Sequence, residues 1–194
     1  MKTTKNKVMR RITFVIIAFF YSSFLFGQAN HKIDLKTSKI TIKGTSSIHE
    51  WESEVKDFQG SGLFTIEGSQ ITNAENILIK VVVKSIESGK SIMDGKTMDA
   101  LKESKYPVIQ FSSTETSIKD NLLICKGKME MAGASKMVTT NVSYKIVQGV
   151  PEFTGSIKIV MSEYGIEPPV AMFGTLKTGD EVNIDFELKF VTNK

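Results

Sequence analysis

Val182-Asn-Ile184-Asp-Phe186-Glu-Leu188-Lys-Phe190 sets five apolar side chains at every second position, with polar ones between them. A period of two puts one set of side chains in a core and the other in water, the signature of a strand with one buried face. The same beat recurs upstream. Val138, Thr140, Val142, Tyr144 and Ile146 alternate with Thr139, Asn141, Ser143 and Lys145, and Phe153, Gly155, Ile157, Ile159 and Met161 alternate with Thr154, Ser156 and Lys158. Ile77, Ile79, Val81 and Val83 lie in a β-branched run suited to a strand. A further strand is expected from Leu122 to Met131. Ile33 and Leu35, followed by Ile40 and Ile42, mark a first strand with a break in it.

Turn signals separate these runs: residues 57–62, Gly68, Lys119-Asp-Asn121, Gln148-Gly-Val-Pro151 and Lys177-Thr-Gly-Asp180. Eight or so strands at this spacing predict an all-β antiparallel sandwich or barrel. Residues 94–104 break the alternation. Asp94 as an N-cap, Met98 and Leu101 three apart, and Pro107 beyond predict one short helix lying across an end of the sheet.

The N-terminus reads differently. Lys2, Lys5, Lys7, Arg10 and Arg11 precede a mostly apolar run from Ile12 to Phe26, and the small residues Gly27 and Ala29 follow. That order is expected of a cleaved signal peptide over residues 1–28, exporting one domain, 29–194, to the periplasm or medium. Five of the 25 basic residues and none of the 21 acidic ones lie in that segment. The remainder holds 20 basic against 21 acidic residues, about −1. No basic cluster remains to bind nucleic acid. One cysteine, Cys125, forms no intrachain disulfide, and with His31 and His49 it offers too few ligands for a structural zinc site.

Candidate chemistry is sparse. No Gly-x-Ser-x-Gly elbow is present, and Ser53-Glu-Val-Lys56 has a Ser-x-x-Lys spacing that a strand would split between its two faces. His31 is expected near an exposed terminus, which leaves His49 as the one interior base. Cys125 shares parity with Leu123, as a buried and unreactive thiol would. What remains is an apolar inventory. It holds Met93, Met98, Met129, Met131, Met137, Met161 and Met172, with phenylalanines at 58, 64, 111, 153, 173, 186 and 190. Methionine adapts to flexible apolar partners, and an antiparallel sheet of about eight strands that closes has room for one small ligand.

Several segments, taken in order, resemble the YceI-like family of lipocalin-like, polyisoprenoid-binding periplasmic proteins. They are Gly44-Thr-Ser-Ser-Ile-His49-Glu-Trp51, Phe58-Gln-Gly60, Gly62-Leu-Phe64, Val83-Lys-Ser-Ile-Glu-Ser88, Tyr106-Pro-Val-Ile-Gln-Phe111, and Gly127-Lys-Met-Glu-Met-Ala-Gly133 with Ser135-Lys136. Met137 stands where the family often has proline, and Met161-Ser-Glu-Tyr-Gly165 departs from its late strand, as in a divergent branch. The resemblance implies a lipocalin-like β-barrel that carries a long isoprenoid, isoprenoid quinone or fatty-chain lipid, with no cofactor and no catalysis. Such a carrier is expected to meet a membrane only transiently, for ligand exchange. A homodimer through barrel edges fits this picture, although no residue argues for it. With strand parity, the expected lining is Ile42, Trp51, Phe64, Ile79, Val81, Phe111, Met129, Met131, Val142, Tyr144, Ile157 and Phe186, with His49 at the mouth. Two other readings stand beside this one. A side-chain-filled β-sandwich would be an interaction module for a protein or glycan, and an enzyme acting on a lipid or quinone would rely on His49.

Overall fold

The computed structural model describes residues 29–171 and 175–192. The expected signal segment, residues 1–28, and Met172 and Phe173 of the apolar inventory lie outside the described residues.

Among the described residues, twelve antiparallel strands make the body of the fold: β1 (Ala29–Ile33), β2 (Lys39–Ser46), β3 (Glu50–Val55), β4 (Phe58–Glu67), β5 (Gln70–Val82), β6 (Ile86–Glu87), β7 (Val108–Lys119), β8 (Leu122–Met131), β9 (Ala134–Val147), β10 (Val150–Val160), β11 (Val170–Ala171) and β12 (Leu176–Thr192). Hydrogen bonding runs β1-β4-β5-β7-β8-β9-β10-β12 and returns to β1, so eight strands close a barrel. The expected break in the first strand separates β1 from β2. Both run along β12: β1 pairs with residues 190–192 and β2 with residues 178–187. Along the upper part of β12, β2, β3 and β6 extend the sheet.

The alternation of β12 shows why the strand sits as it does. Val182, Leu188 and Phe190 are buried inward. Outward, Asp185 accepts from Ser156 Oγ at 2.7 Å and pairs with Lys43 at 2.9 Å. Glu152 on β10 is held between Lys189 at 2.8 Å and Lys145 at 3.1 Å. These cations keep both carboxyls below the usual carboxylate range. On β10 and β12 one face is therefore apolar and the other carries solvent-facing ion pairs, which fix register more than they stabilise.

Two sequence expectations shift. The helix α1 spans Ser91–Ala100, three residues earlier than expected, and residues 101–105 continue as turns. Asp94 is not its N-cap. The Asp94 carboxylate instead accepts from Ser88 N at 2.7 Å and Ser88 Oγ at 2.6 Å, closing the loop that enters the helix. His31 is not exposed: β1 is clamped between β4 and β12, so its ring is 2 % exposed and tilts over Phe64 at 5.3 Å.

Candidate functional site

The barrel is hollow. Ile42, Ile79, Val81, Ile109, Ile157, Ile184 and Phe186 all point inward yet are only half buried, because they face a cavity rather than one another. An inner chamber of about 120 Å³ is lined by apolar side chains from all of the long barrel strands, with Thr140 as its one hydroxyl. An outer chamber of about 530 Å³ adjoins it, and Ile42, Ile109 and Ile184 line both.

The floor of the inner chamber is aromatic. Phe64 lies 5.2 Å from both Phe153 and Phe190, and Phe153 lies 5.5 Å from Phe190, two of these contacts edge-on. Edge-to-face rings at this spacing pack densely and hold one arrangement. Below them, Tyr144 donates to Gln70 Oε1 at 2.9 Å or Asp120 O at 3.0 Å and accepts from Ile71 N at 3.3 Å, tying together the turns at that end.

Higher up, aromatic rings lie against the wall instead of plugging the lumen. Phe186 covers Gly155, its partner in register: a Cβ on Gly155 would sit 2.6 Å from Phe186 Cζ. Trp51 covers Gly44 in the same way, with a hypothetical Cβ 2.3 Å from the indole, and donates Nε1–H to Thr45 O at 2.9 Å. A missing Cβ on one strand is thus the seat for a ring on the next, and the space in front of the ring stays open.

The outer chamber has a different chemistry. It is walled by α1 through Ser91, Ile92, Met93, Lys96, Thr97 and Ala100, by the β2–β3 hairpin through Ser46, His49, Trp51 and Ser53, and by Ile166, Pro169 and Val170. Among the described residues its charged lining is Lys90 and Lys96, and no acidic one lines it. His49 is exposed, with Nδ1 2.8 Å from Glu50 O.

Of the expected lining, Phe64, Ile79, Val81, Phe111, Met129, Val142, Ile157 and Phe186 lie on the inner chamber. Trp51, Met131 and His49 lie on the outer one, and Ile42 on both. Tyr144 lies outside both, 4 % exposed beneath the floor, because its hydroxyl is drawn to the turns. The Trp51 N–H meets backbone, so it has no donor left for a headgroup. Cys125 also lines the inner chamber. Burial pushes its thiol up to about 11, away from the reactive thiolate. Parity already placed Cys125 and Thr140 inward, but their polar type hid them. Lys90 and Lys96 left no sequence signal, since helical position alone does not say which end of a barrel a helix covers.

The arrangement offers binding surface and few groups for chemistry. Ser53 is buried and faces the outer chamber, while Lys56 pairs with Glu54 at 2.8 Å outside, so the Ser-x-x-Lys spacing brings nothing together. Among the described residues no three His, Cys, Asp or Glu side chains cluster as metal ligands, and no helix is long and apolar enough to cross a membrane.

The sequence that folds into this hollow barrel matches a known family model, the YceI-like domain, over residues 31–190. The chain belongs to the YceI-like family. Solved relatives share the fold at low identity. BcnA of Burkholderia cenocepacia aligns at TM-score 0.70 with 22 % identity, over 81 % of this chain and 98 % of its own. A polyisoprenoid binding domain from Saccharophagus degradans, described as implicated in plant cell wall breakdown, aligns at 0.66 with 14 % identity, over 86 % and 99 %. The Campylobacter jejuni YceI protein aligns at 0.58 with 17 % identity, over 73 % and 84 %. No curated protein matches this chain.

Proposed function

We propose that this YceI-like chain is an exported carrier that holds one long apolar molecule, a polyisoprenoid, isoprenoid quinone or fatty-chain lipid, with its tail in the inner chamber and its polar end in the outer one. The observation that carries this reading is the pair of chambers joined at Ile42, Ile109 and Ile184, apolar within and bearing the cations Lys90 and Lys96 in the outer one. Each methylene moved from water to such a lining contributes about 0.8 kcal/mol, so a long chain binds tightly with few polar contacts. The polyisoprenoid binding named for the Saccharophagus relative supports an isoprenoid as the first ligand to try.

Export follows from the charged, apolar and small-residue order of the N-terminus. Ala29 pairs with Phe64 as the first residue of β1, which favours cleavage before Ala29. The intact mass of the protein from an exporting bacterial host reads this directly.

Mass spectrometry of organic extracts from that protein, with native mass spectrometry alongside, tests the carrier role. A stoichiometric long-chain lipid is expected. An empty protein that also stays empty after incubation with isoprenoids and fatty amides would sink the reading and favour an interaction module.

A further inference from the structure

Three large aliphatic side chains ring the opening of the outer chamber and face water. Ile48 at the tip of the β2–β3 hairpin is 67 % exposed, Ile92 in the first turn of α1 is 79 % exposed, and Val170 in β11 is 49 % exposed. Ile92 and Val170 line the chamber, and Ile48 adjoins His49, which also lines it. Single exposed aliphatics are ordinary on any surface. Three of them, carried by three separate segments to one rim, form a feature of the fold. The helix belongs to the same pattern, since none of its residues is buried.

Charge at this rim has one sign where it faces the opening. Lys90 and Lys96 line it, and the nearest helical acid, Asp94, is turned to Ser88. Glu50 and Glu167 adjoin the rim in sequence but do not line the opening. Apolar tips beside lysines are what an anionic bilayer surface accepts: the tips enter the acyl boundary and the ammonium groups stay with the phosphates.

We propose that this rim docks on an anionic lipid bilayer, with Ile48, Ile92 and Val170 inserted and Lys90 and Lys96 against the headgroups, so that cargo enters the outer chamber from the membrane without crossing water. The proposal rests on the carrier reading for its purpose but not for its test.

The test uses protein from the exporting host and two sets of vesicles, pure phosphatidylcholine and a three-to-one mixture with phosphatidylglycerol. Sedimentation should carry the protein with the mixed vesicles at least several-fold more than with the neutral ones. Ile48→Asp with Ile92→Asp should cut that binding about tenfold. Val147→Asp is the control: it removes an aliphatic that is 40 % exposed at the β9–β10 turn, away from the rim, and should change nothing. Ile48→Asp alone, outside the chamber lining, should slow uptake of a long polyprenol from mixed vesicles while uptake from detergent micelles stays the same. Wild-type protein that ignores anionic vesicles, or rim variants that bind as well as wild type, overturns the docking surface. Polyprenol uptake absent from micelles and vesicles alike, with vesicle binding intact, overturns the carrier reading and leaves the docking surface standing.

Discussion

The two ends of the barrel solve opposite problems. At the floor, Phe64, Phe153 and Phe190 interlock, and Tyr144 ties the turns beneath them by hydrogen bonds of 2.9–3.3 Å. At the mouth, a ten-residue helix with no buried residue leans over a chamber more than four times larger, and Ile48 and Ile92 stand in water. In the proposed carrier, a dense aromatic floor would be a hard stop that measures chain length. A thinly packed helix is free to shift, because little buried area opposes its displacement. The comparison teaches that in such a carrier length selectivity and exchange would reside in different ends, so they would be separable by mutation.

The strongest way to break that division is to fill the inner chamber. Gly155→Val puts a branched side chain where Phe186 Cζ lies 2.6 Å from a bare Cβ, and the ring must swing into the lumen. If about four methylenes of ligand lose their seat, binding weakens by about 3 kcal/mol, roughly a hundredfold. The loss should fall on long chains and spare short ones. A chain-length series read by native mass spectrometry checks this, and an unchanged length preference would show that the inner chamber measures nothing.

Tyr144→Phe probes the same end without touching the chamber. It deletes the hydroxyl that joins Asp120, Gln70 and Ile71 and takes an acceptor from the buried Ile71 N–H. Stability should drop by about 1.5 kcal/mol in urea unfolding, with ligand retention unaltered. Trp51→Ala acts at the mouth. The indole covers Gly44 and lines the outer chamber, so retention should fall about fivefold, near 1 kcal/mol, and equally for all chain lengths. The midpoint of thermal unfolding should move little, since the ring is only half buried. A length-dependent loss here would merge the two ends into one site.

Much of the fold was legible because alternation is a strong signal on strands of ten residues or more. Val182 to Phe190 and Leu122 to Met131 lie on β12 and β8 as their parity requires. Parity also separates inside from outside, and eleven of the twelve expected lining residues do border a chamber. Tyr144 escaped because parity says nothing of depth along the barrel axis, and a phenol hydroxyl seeks whichever turn is near. The start of α1 was misjudged for a related reason. An aspartate that looks like a cap satisfied Ser88 instead, and the cap position fell to Lys90, whose side chain makes no capping bond. Closure at β1–β12 joins segments some 160 residues apart, and local patterns carry no trace of it.

The smallest effect expected is also the one that reports on the inner chamber from within. Cys125 lines that chamber, and burial lifts its thiol from 9.0 to about 11. The folded state therefore keeps a proton that the unfolded chain gives up. Stability from this group is complete below pH 9 and is lost as pH rises from 9 towards 11. Its size is about 1 kcal/mol once water access through the chamber is allowed for. Cys125→Val removes the group while keeping an apolar wall, so the difference between the two unfolding curves isolates it from the lysines that titrate in the same range. A bound apolar chain dries the chamber and should raise the thiol further, slowing alkylation by iodoacetamide at pH 9. A thiol that reacts at the same rate in empty and loaded protein would mean that the chain stops in the outer chamber and never reaches the floor. The floor would then be a plug rather than a measure of length.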